Sequence, residues 1–178
     1  GGLYLASEAM KANPKNKKVV AQVCNLFSSL AYDMKSKHAI TNGEAISLIF
    51  NSLKNHFDDK LVVKKSLAAF CHLSLCGHYH IHNQSSFLEA SKSSSSSISS
   101  NTEFCNNIVN SGVIQFIPEV LRRYSNNVEI QKYAYLFLRN VSCNAKGVKV
   151  LEEMDSRNTL FNRKEYNHPS CQQYAQDT

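Results

Sequence analysis

Ile130-Gln131-Lys132-Tyr133-Ala134 returns forty-one residues later as Cys171-Gln172-Gln173-Tyr174-Ala175. A phrase that recurs at that period marks stacked helical repeats, because one such unit cannot bury its apolar face without a neighbour. Outward from this phrase, three landmarks recur in order: a glycine-containing break, an apolar helix and, after a polar link, a second apolar helix that closes on a large hydrophobic residue. The breaks are Gly2, Gly43 and Gly112, and the closing residues Leu30, Leu73 and Val141 follow them by twenty-eight, thirty and twenty-nine residues.

Inside the units the apolar positions follow the helical period and not strand alternation. Ile46, Ile49, Phe50 and Leu53 share one face, as do Ile114, Ile117, Val120 and Leu121. The longer helices carry the stripes Val19, Val23, Leu26, Phe27, Leu30; Val62, Val63, Leu67, Phe70, Leu73; and Ile130, Ala134, Phe137, Leu138, Val141. Small residues at Ser66, Ala134 and Ala175 suit close helix approach. The links Asn13-Pro14-Lys15-Asn16, Phe57-Asp58-Asp59 and Ser125-Asn126-Asn127 stop one helix and cap the next. Short first helices are expected at Met34 to Ile40, Thr102 to Asn110 and Ala145 to Met154, which makes three helices per unit.

One interval breaks the pattern. Leu30 to Leu73 spans forty-three residues and Leu73 to Val141 sixty-eight, so about twenty-five are inserted between Gly77 and Asn101. Ser91 to Ser100 holds eight serines there and little to offset the entropy of ordering it, so 77–101 reads as a disordered Ser-rich loop, with phosphorylation as one use for it. The units are expected at about 1–33, 34–76, 102–144 and 145–178, the first and last incomplete, as in a piece of a longer chain.

Composition narrows the classes. Hydrophobic residues at 43% and charged ones at 19% supply a core, and neither a membrane span nor a secretory signal is visible. Six cysteines lie mostly in apolar helical contexts, which predicts free thiols in a reducing compartment, cytosol or nucleus. The net charge of +6 comes from scattered pairs such as Lys17-Lys18, Lys64-Lys65 and Arg122-Arg123, a pattern that favours a solvated face over a nucleic-acid stripe.

Chemistry is sparse. Cys71 to His82 holds two cysteines and four of the seven histidines, but no Cys-x-x-Cys pair to go with the His78 to His82 spacing, so no metal site is assigned. No nucleophile motif surrounds a cysteine. Asp58-Asp59 and Glu152-Glu153 are sequence neighbours that a helix would turn about 100° apart, and no phosphate-binding glycine loop occurs. No catalytic residue and no cofactor are expected.

The third unit, Gly112-Val113-Ile114 through Ile130-Gln131-Lys132-Tyr133-Ala134-Tyr135-Leu136-Phe137-Leu138-Arg139-Asn140-Val141-Ser142, resembles an armadillo repeat, and the likeness extends over nearly all of the chain outside the insertion. The stretch from Leu151 to Asp177 is similar to the closing repeat of one member of that family for which no reaction is known. The resemblance implies an all-α, right-handed α-solenoid of three-helix repeats. It also implies a non-enzymatic scaffold that binds an extended peptide or partner protein along a groove of third helices. The family's Trp and Asn ladder is largely missing. Asn25, Ala68 and Leu136 stand where tryptophan would, and Ser29, His72 and Asn140 where asparagine would, which argues against binding of nuclear-localisation signals. Gln22, Asn25, Ser29, Lys65, His72, Tyr133 and Asn140 are the expected groove residues, with Lys65 and Arg139 favouring an acidic ligand; Asn140 could instead satisfy a neighbouring loop. Alternative readings are a cytoskeleton-associated module and a metal- or nucleic-acid-binding protein of the same architecture.

Overall fold

The computed structural model describes residues 1–75 and 105–156, with side chains through Met154. The serine tract, most of the Cys71 to His82 cluster and the returning phrase at Cys171 lie outside the described residues. Within them every regular element is an α-helix. In chain order these are α1 (Gly2–Ala12), α2 (Lys17–Leu30), α3 (Met34–Thr41), α4 (Ala45–Asn55), α5 (Lys60–Leu73), α6 (105–110), α7 (Val113–Arg123), α8 (Val128–Ser142) and α9 (Ala145–Ser156). No helix among the described residues is long and apolar enough to cross a membrane.

Each long helix starts on a side-chain cap. Asn16 Oδ1 accepts from the Lys18 and Val19 amides at 3.2 and 3.3 Å, Asp59 Oδ1 from Leu61 and Val62 at 3.0 and 3.1 Å, and Asn127 Oδ1 from Ile130 at 3.1 Å. These oxygens satisfy amides that have no partner within the helix, each cap contributing about 1 kcal/mol. The shorter α7 begins differently. Gly112 takes a left-handed φ of 81°, a conformation in which a side chain would be strained, and so turns the chain from α6 into α7.

Packing follows from the apolar faces. The long helices α2, α5 and α8 form a row with α5 in the middle. They run parallel, because bonds between them climb together: Asn25 to Lys65 and Ser28 to His72, then Lys64 to Glu129 and Cys71 to Asn140. Phe27, Phe70 and Phe137 are completely buried along this row, with the last two rings 5.8 Å apart. Each such side chain contributes about 2 kcal/mol of transfer free energy. Cys24 Sγ meets Ser66 Oγ at 3.5 Å, so the small Ser66 does let α2 and α5 approach closely.

The contacts between helix sets repeat. His56 Nε2 bonds Pro14 O at 2.6 Å across 42 residues, and Tyr124 Oη donates to Phe57 O across 67. Ser28 Oγ and His72 Nδ1 are 2.7 Å apart across 44 residues, and Asn140 Nδ2 donates to Cys71 O at 2.9 Å across 69. Each separation grows by the same 25 residues. The second junction therefore reproduces the first, and the extra residues between α5 and α6 leave the packing register intact.

Two expectations need correction. The stripe assigned to α2 is rotated: Val20, Ala21, Val23, Cys24 and Phe27 are its buried residues, whereas Leu26 is 40% exposed and Val19 and Leu30 are half-buried. Alternation of Val19-Val20 and Leu26-Phe27 permits either face, and only the position of α5 decides. On α4, Phe50 is half-buried and turns outward to meet Phe116 at 5.9 Å. The stripes of α5 and α8 are buried as expected.

The basic pairs join units instead of forming a free stripe. Lys17 pairs with Asp59 at 3.3 Å, Lys64 with Glu129 at 3.0 Å, and Arg123 with Asp58 at 2.5 Å, each across a junction. These exposed pairs are worth at most about 1 kcal/mol each, but they account for both members of Asp58-Asp59, the second of which also caps α5.

Candidate functional site

A cleft of about 350 Å3 opens across the row of long helices. Asn25, Ser28 and Ser29 of α2 form one wall together with Tyr32 from the turn that follows, and Glu129 and Tyr133 of α8 form the other. Lys64, Lys65, Ala68 and His72 of α5 make the floor. One helix face presents Lys65, Ala68 and His72 because they are spaced three and four residues apart.

The cleft has two ends. At one, Lys65 Nζ donates to Asn25 Oδ1 at 2.7 Å, and Lys64 Nζ pairs with Glu129 at 3.0 Å. At the other, the His72 ring lies between two tyrosines, 5.1 Å from Tyr32 and 6.3 Å from Tyr133 between centroids. Burial holds the His72 imidazole below the usual histidine range, an effect only partly offset by the Ser28 backbone. Burial also raises the Tyr32 hydroxyl above the usual tyrosine range. At neutral pH this end therefore carries a neutral imidazole and the neutral Tyr32 phenol.

Of the expected groove residues, the structure brings together Asn25, Ser29, Lys65, His72 and Tyr133. Gln22 is exposed on α2 outside the cleft. Asn140 is also outside it, since its amide donates to Cys71 O and, at 3.2 Å, to Ser74 Oγ, tying the end of α8 to the end of α5. That is the loop-satisfying role and corrects its place in the groove. Arg139 does not line the cleft either. His72 occupies the position equivalent to Asn140 and likewise reaches back to the preceding long helix, while Ser29 bonds the Asn25 carbonyl of its own helix at 3.0 Å.

Sequence reasoning missed Ser28, Tyr32, Lys64 and Glu129 as wall and floor residues. Tyr32 lies beyond the end of α2, where helical periodicity gives no direction. The others required the lateral pairing of the helices, and the 43-residue step between Leu30 and Leu73 was the signal that could have supplied it.

Other chemistry finds little support. Burial pushes the Cys24 thiol up to about 11 and the Cys71 thiol up to about 12, so neither is a thiolate at neutral pH. The described residues contain no cluster of three or more histidine, cysteine or acidic side chains able to hold a metal, and residues 76–82 of the histidine tract lie outside them. No protein-family model, curated protein or solved structure matches the chain.

Proposed function

We propose that residues 1–178 form an armadillo-type, right-handed α-solenoid that acts as a non-enzymatic scaffold and holds an extended peptide of a partner protein in the cleft across α2, α5 and α8. The observation that carries this reading is the cleft itself: three parallel long helices from successive units offer it amide, hydroxyl, ammonium and imidazole groups. Such groups can bond a peptide backbone and side chains without performing a reaction. The repeated bonds His56 to Pro14 and Tyr124 to Phe57 support the solenoid, because equivalent junctions are what a repeat architecture requires. Among the described residues Cys24, Cys71 and Cys105 are buried as core side chains and not joined in a disulfide framework, in keeping with a reducing compartment, cytosol or nucleus.

The test is a peptide-display selection against the protein. Peptides that bind should lose at least about tenfold in affinity, ~1.4 kcal/mol, when Lys65, His72 and Tyr133 are replaced together by alanine in a variant that still gives a helical melting transition. Selected peptides that bind the triple variant unchanged would place the binding surface elsewhere.

A further inference from the structure

The charge in the cleft is unbalanced at one point. Lys64 is neutralised by Glu129 at 3.0 Å, but Lys65, half-buried beside it, is held by the neutral Asn25 amide oxygen at 2.7 Å and has no carboxylate partner among the described residues. Two turns further along α5, His72 sits between Tyr32 and Tyr133 with Nδ1 on Ser28. Ala68 lies between them on the same face, so nothing on α5 fills the space. Two turns rise about 10 Å, so Lys65 and His72 leave α5 about 10 Å apart on one face with only the short Ala68 between them.

We propose that the cleft takes a single carboxylate side chain of an extended acidic peptide, seated over Ala68 beside Lys65, and that His72 takes up a proton from solvent as it binds. This rests on the cleft being a peptide-binding surface and names the chemistry of its occupant. A carboxylate fits better than a phosphate, because one cation is uncompensated and the cleft contains no arginine to grip a dianion from two sides. The groups around His72 are consistent with proton uptake on binding. Facing it are Ser28 and Tyr32 on the α2 side, Lys65 on its own helix and Tyr133 on α8, while Glu129 is engaged with Lys64. Lys37 of α3 bonds Leu75 O at the end of α5, and Lys132 of α8 acts on the adjoining Cys71. Among the described cleft residues Lys65 is the cation without a carboxylate partner, so a bound carboxylate is the negative charge that would favour the imidazolium.

The experiment is an NMR titration of the protein with a blocked octapeptide of alternating alanine and glutamate, its glutamine counterpart, and inorganic phosphate. The glutamate peptide should move the Lys65, His72 and Tyr133 resonances, raise the His72 titration midpoint, and bind about tenfold tighter at pH ~5.5 than at pH ~7.5, where its carboxylates are ionised throughout. Lys65→Met should weaken the glutamate peptide more than the glutamine one, and His72→Gln should remove the gain at acid pH. Equal binding of the two peptides, or a His72 midpoint that the glutamate peptide leaves in place, would overturn the proposal while leaving the groove reading standing. Phosphate that outcompetes the glutamate peptide would overturn the choice of carboxylate. If the glutamate peptide leaves the cleft resonances unmoved at millimolar concentration, the proposal fails; if display-selected peptides leave them unmoved as well, the groove reading fails with it.

Discussion

His72 bonds across a helix junction and also lines the cleft, and its protonation ties the two roles. Because its folded-state titration is lowered by burial, the unfolded chain binds the proton first as pH falls. Stability from this group is therefore full above the unfolded value of about 6.5 and is lost as pH drops below it toward the lower folded-state value. Urea melts across that window should show a slope that His72→Gln reduces. Asn140 illustrates what a sequence can and cannot say about one residue. An amide near a helix end fits a groove or a neighbouring loop equally well, and the choice depended on Cys71 O standing 2.9 Å away on another helix. Asn140→Ala should cost about 1 kcal/mol of stability by denaturant unfolding, the usual worth of such a bond. Gly147 carried no signal in the sequence: a β-carbon there would overlap the Val141 carbonyl where α9 folds back on α8. Gly147→Ala should destabilise by about 1–3 kcal/mol, the range for forcing an extra methyl into a packed contact.

At the scale of elements, the caps and most apolar stripes were legible. Asn16, Asp59 and Asn127 announce their helices because a polar side chain in an extended conformation is what free amides at a helix start require. Asp59→Ala should therefore lower stability by about 1 kcal/mol, and since capping holds the Asp59 carboxyl below the usual aspartate range, that loss should fade as the pH falls below that range toward the lower folded-state value. The rotation of the α2 stripe was not legible, because Leu26 and Phe27 are neighbours of equal hydrophobicity and the sequence does not record on which side α5 lies. Four of the ten cleft residues were hidden as well. Glu129 belongs to it through Lys64, a partner 65 residues away, and Tyr32 through a turn with no period to read.

The whole molecule is defined by its two equivalent junctions. The constant step of 25 residues between their bonds matches the excess read from Leu30, Leu73 and Val141, so the spacing in the sequence and the packing of the helices report the same insertion. Three residues suffice to join α2 to α3, and removal of 77–101 leaves six between α5 and α6. That deletion should consequently leave the thermal midpoint nearly unchanged, since loop-closure terms vary slowly with length. The returning phrase at Cys171 to Ala175 pointed to the architecture, yet the described helices support it through other residues, chiefly the bonds that recur from unit to unit. The row formed by α2, α5 and α8 is proposed as a peptide-binding surface. Chemical-shift mapping of a display-selected peptide tests it most directly. Shifts should concentrate at Asn25, Lys65, Ala68, His72 and Tyr133; shifts confined to residues outside the cleft, such as the exposed Tyr4 and Leu5 of α1, would contradict that surface.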